Sequence, residues 1–74
     1  MTRLIFHEYL FIKHTVRKYS NKEKAIQRMN IEIENWMNRS PNGLRTEHIV
    51  TPAGTEITSL FVDNTKLADW QIID

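Results

Sequence analysis

The sequence predicts a single small α+β domain, with one amphipathic helix packed on an antiparallel sheet in the order β-α-β-β. Three observations predict it. A run rich in branched and aromatic residues opens the chain and a helical apolar stripe follows it. Two turn clusters come next: Pro41-Asn42-Gly43 ends the helix and Pro52-Ala53-Gly54 closes a hairpin. With 74 residues, 41% of them hydrophobic, residues 1–74 hold one core and no second domain.

Residues 1–19 read as extended. Leu4, Phe6, Leu10, Ile12 and Val16 fall on one face, and His7, Tyr9, Phe11, Lys13, Thr15, Arg17 and Tyr19 on the other, with neither Gly nor Pro between them. Residues 20–39 read as the helix. Ser20-Asn21-Lys22-Glu23 has the form of a capping box, and Ala25, Ile26, Met29, Ile33, Trp36 and Met37 recur at three- and four-residue steps. Arg28 and Glu32 are expected on the solvent side, and Ser40-Pro41-Asn42-Gly43 stops the helix. Residues 44–63 form a hairpin; pairing Thr51 with Thr55 sets Ile49 against Ile57 and Arg45 near Phe61. Residues 64–74 are either a last strand with Ala68, Trp70 and Ile72 on one side, or a short helical turn capped by Thr65. Trp36 and Trp70 are both expected to dock on the core.

The lengths do not match. Sixteen extended residues, 3–18, would run about 53 Å, whereas an eight-residue hairpin strand runs about 26 Å. The first segment therefore either bends at a bulge near His7-Glu8 or projects as a free edge. A free edge could pair with a second copy and bury Tyr9 and Phe11 at a twofold axis.

Composition narrows the function. There is no cysteine, so disulfides, thiolate metal sites and thiol chemistry are excluded. Charged residues and histidines break every apolar run far short of the ~20 residues a membrane span needs. His7 and Glu8 interrupt any apolar leader, and a cytoplasmic address is expected. The net charge of +1 conceals a division: residues 1–30 carry seven basic and two acidic residues, and residues 31–74 three basic and seven acidic.

No catalytic constellation is apparent. His7, His14 and His48 lack metal-ligand spacing, and Glu32 and Glu34 point roughly 200° apart on a helix. Gly43 and Gly54 are isolated turn glycines, not a phosphate-binding loop. No enzyme activity, metal, cofactor, small-molecule substrate or membrane partner is expected. A binding surface is the better fit. Tyr9, Phe11, Lys13, Arg17, Lys18, Tyr19, Lys22 and Lys24 interleave aromatic and basic side chains, which suits an accessory or inhibitor-like module docking on a larger protein through a β-edge and this aromatic-basic face, or a homodimer. The alternative is a nucleic-acid-binding domain using residues 13–28.

Overall fold

In the computed structural model, which describes residues 1–39 and 42–74, six elements follow one another. They are β1 (Thr2–Glu8), β2 (Lys13–Tyr19), α1 (Lys22–Arg39), β3 (Leu44–Val50), β4 (Glu56–Val62) and β5 (Thr65–Ile73). The strands form one antiparallel sheet in the order β2-β1-β5-β4-β3, with α1 lying across one face over β2, β1 and β5. The α+β class stands, and the sheet has five strands rather than three or four. Among the described residues no helix is long and apolar enough to cross a membrane.

The extra strand comes from the first segment, which is a hairpin and not one long strand. Its chain reverses at Tyr9-Leu10-Phe11-Ile12, and Glu8 pairs with Lys13. This resolves the length mismatch without a bulge at His7-Glu8. It also removes the expected route to a dimer: β1 is hydrogen-bonded to β2 on one side and β5 on the other, so it offers no free edge for pairing. The reversal resets the alternation as well. His7 points to the sheet's open face, while Lys13, Thr15, Arg17 and Tyr19 lie on the helix side, paired with Glu8, Phe6, Leu4 and Thr2.

The tail is the last strand, and it is central. Ala68, Trp70 and Ile72 face α1, and β5 joins the N-terminal hairpin to the meander β3-β4-β5. Trp70 and Leu60 are fully buried, with Leu4, Ala25, Met29, Ala68 and Ile72 around them. Phe6 packs on Trp70 at 5.2 Å between ring centroids. The helix stripe meets this core as expected, with Ile26, Ile33, Trp36 and Met37 half-buried against it. Glu32 belongs to the same side and not to solvent: its carboxylate accepts from Trp70 Nε1 at 3.3 Å and from Arg28 Nε at 2.9 Å. A buried indole N–H needs an acceptor, and the residue one turn before Trp36 supplies it.

Two local details follow from capping and turn chemistry. The helix cap is Asn21, whose Oδ1 accepts the Lys24 N–H at 2.9 Å, so the helix starts one residue beyond the Ser20 box. The β3–β4 hairpin keeps the expected register, with Ile49 opposite Ile57 and Arg45 opposite Phe61, its guanidinium 4.5 Å from the ring centre. Gly54, at φ +88°, closes its turn through a 2.9 Å bond to Thr51 O. Ser40 and Pro41, expected to stop the helix, lie outside the described residues.

Candidate hairpin docking site

The reversal between β1 and β2 has an unusual composition. Tight turns favour Gly, Asn, Asp, Pro and Ser, because these residues either accept left-handed backbone or bond to it. Here the four turn residues are Tyr9, Leu10, Phe11 and Ile12, and their exposures are 50%, 64%, 69% and 89%. Ile12 has φ +53°, a conformation that a β-branched side chain resists. The β4–β5 turn shows the usual solution, since its left-handed residue is Asp63, also at φ +53°. The hairpin tip thus exposes apolar surface and holds strained backbone at the same point.

Its base is firmly tied. Tyr9 N–H donates to Leu67 O at 2.9 Å, and the Tyr9 hydroxyl donates to Asp69 Oδ2 at 2.6 Å. Alternation puts Asp69 on the open face of β5, yet it is only 3% exposed. Lys66 Nζ stands 3.0 Å from Asp69 Oδ2 and 5.5 Å from the centre of the Tyr9 ring. His7 Nδ1 lies 3.5 Å from Oδ1, which has no hydrogen-bond partner among the described residues. His7 also stacks on His14 across the strand pair, at 4.4 Å and 6° between planes. The hydrogen bond to Asp69, with burial and the carboxylate's charge adding to it, pushes the Tyr9 hydroxyl up from 10 to about 12. Tyr9 is therefore a neutral donor throughout the physiological range. The carboxylate clamps the tip's first residue to the middle of the sheet.

Only part of the expected aromatic-basic surface comes together. Tyr9 and Phe11 are in the tip and Lys13 adjoins it. Arg17 and Lys18 continue along β2 on opposite faces, and Tyr19 is half-buried against the core at the far end. Lys22 and Lys24 belong to the first turn of α1, also at that far end, and Lys22 pairs with Glu56. The eight residues are thus not one face, because the turn at residues 9–12 and the start of α1 separate them. The segment 13–28 is divided in the same way. Sequence reasoning passed over Leu10 and Ile12, which look like ordinary strand residues, and over Asp69, whose partners Tyr9 and His7 lie about 60 positions away. The sequence signal for the tip is the longest run of large apolar residues in the chain, Tyr9-Leu10-Phe11-Ile12.

Beyond α1, a groove of about 380 Å³ opens over β3 and β4, lined among others by Ile33, Met37, Thr46 and His48. Among the described residues no three His, Asp or Glu side chains are grouped to hold a metal ion. Comparison with protein-family models, with curated proteins and with solved structures gave no match.

Proposed function

We propose that this chain is a small protein-binding module, an accessory or inhibitor-like subunit, that docks on a larger cytoplasmic protein through the tip of its β1–β2 hairpin. The observation that carries this reading is the tip: Leu10, Phe11 and Ile12 are exposed on a backbone that Ile12 strains. Folding gains nothing from either feature, since a polar turn would close the same hairpin with less strain. A partner pocket would bury the three side chains, and apolar anchors seated in pockets carry most of the affinity of protein interfaces. The clamp on Tyr9 adds to this. A tip fixed before binding loses little conformational freedom on docking.

The test is a photo-crosslinking residue placed at Phe11, and at Ile49 as a control that is also exposed and apolar. The proteins are expressed in cells of the source organism. One discrete protein adduct from position 11, absent from position 49, supports the reading. No adduct at 11, or adducts that are nuclease-sensitive or lipidic, overturns it.

A further inference from the structure

We infer that the outer edge of β2 receives an acidic, extended segment of the partner as a sixth strand; the inference rests on the docking reading above. β2 ends the sheet. Its inner side pairs with β1 from Lys13 to Tyr19, so its outer row of N–H and C=O groups has no strand beside it. The strand carries Lys13, Arg17 and Lys18 and no carboxylate. None of the three makes a salt bridge among the described residues, where the cations that do are Lys22, Arg28, Arg45 and Lys66, with His7 and His48 near carboxylates. The opposite edge differs, because Arg45 and Glu47 of β3 pair with each other.

Cations on an edge strand ordinarily guard it against indiscriminate pairing. Here the guard is selective. A second copy of β2, antiparallel about Val16, would set Lys18 against His14 and add three more cations, so self-pairing is opposed. A strand bearing carboxylates turns the same charges into attraction. The alternation specifies the pattern. Residues opposite Arg17 and Lys18 would be acidic, and the residue opposite the half-exposed Val16 would be apolar. Glu32, which lines the small hollow beneath Thr15 and Arg17, is already engaged by Arg28 and Trp70 and leaves Arg17 available. Nucleic acid fits less well. Lys13 and Arg17 lie on one face and Lys18 on the other, and Tyr9 and Tyr19 are held by Asp69 and the core.

The probe is a blocked hexapeptide, Glu-Glu-Val-Thr-Val-Glu, titrated into the isotope-labelled protein and followed by amide NMR. Shifts centred on residues 13–19, with slowed exchange of alternate β2 amides, are expected. Binding should weaken at least tenfold in the double variant Arg17→Glu/Lys18→Glu, and it should weaken as salt rises from about 50 to about 500 mM. The version with Lys in place of Glu should not bind, and Ile49→Ser, on β3 at the opposite edge, should leave peptide binding unchanged. Shifts centred on β3 or the groove, equal binding of the Lys peptide, or tighter binding of oligothymidylate overturns the inference. If the peptide fails while the position-11 adduct persists, the acidic strand alone is removed. If both fail, the docking reading falls with it.

Discussion

Replacing Ile12 by asparagine should stabilise the fold while weakening its docking. Left-handed backbone costs an ordinary L-residue about 1–2 kcal/mol, and a β-branched one lies at the upper end. Asparagine tolerates that region because its short polar side chain bonds locally. The isoleucine side chain contributes little in exchange, since Ile12 is 89% exposed. Full burial of such a chain is worth about 1.5–3 kcal/mol, so the tenth that is covered gives only about 0.2–0.3 kcal/mol. The net gain is about 1 kcal/mol, which in a domain of this size raises Tm by about 4–8 °C. Ile12→Gly should gain less, because glycine brings about 0.5–1 kcal/mol of extra unfolded-state entropy. Thermal and urea unfolding followed by the tryptophan fluorescence of buried Trp70 and half-buried Trp36 measure both variants. Ile12→Asn melting at or below wild type would refute the argument that the tip is strained and unsupported.

Asn21→Ala should cost about 1 kcal/mol through loss of the cap on Lys24 N–H, whereas Ser20→Ala should melt with wild type; urea curves of the two decide which residue starts the helix. The raised Tyr9 hydroxyl gives a pH dependence of definite sign. The neutral form is favoured in the folded state, so its contribution is complete below pH 10 and is lost as pH rises through about 12. Phenolate absorbance should show one tyrosine titrating near pH 12, and Tyr9→Phe should remove that step and the matching loss of stability.

The parts of the fold governed by one period and one turn were legible. The α1 stripe follows the helical repeat from Ala25 to Met37, and the β3–β4 register follows from Pro52-Ala53-Gly54. The alternation of Ala68, Trp70 and Ile72 identified the inner face of β5 without showing that the strand is central, because sheet order depends on contacts between the two ends of the chain. The first hairpin was hidden for a physical reason: its turn uses side chains that belong to strands. Asp69 was hidden for another. A carboxylate next to a core tryptophan looks like the solvent half of an alternating strand, and only the fold brings His7 and Tyr9 over it, beside the local Lys66. The capping-box pattern predicts Ser20 as the cap, but Asn21 is an equally good acceptor and takes that place, so the start of α1 moves by one residue.

The account depends most on the apolar tip as the docking element. The direct measurement keeps the photo-crosslinker at position 11 and makes the surrounding tip polar with Leu10→Ser and Ile12→Asn, reading adduct yield beside the melting curve. The account predicts at least a tenfold loss of the adduct in a protein that melts no lower than its parent. An undiminished adduct from the polar tip would contradict it.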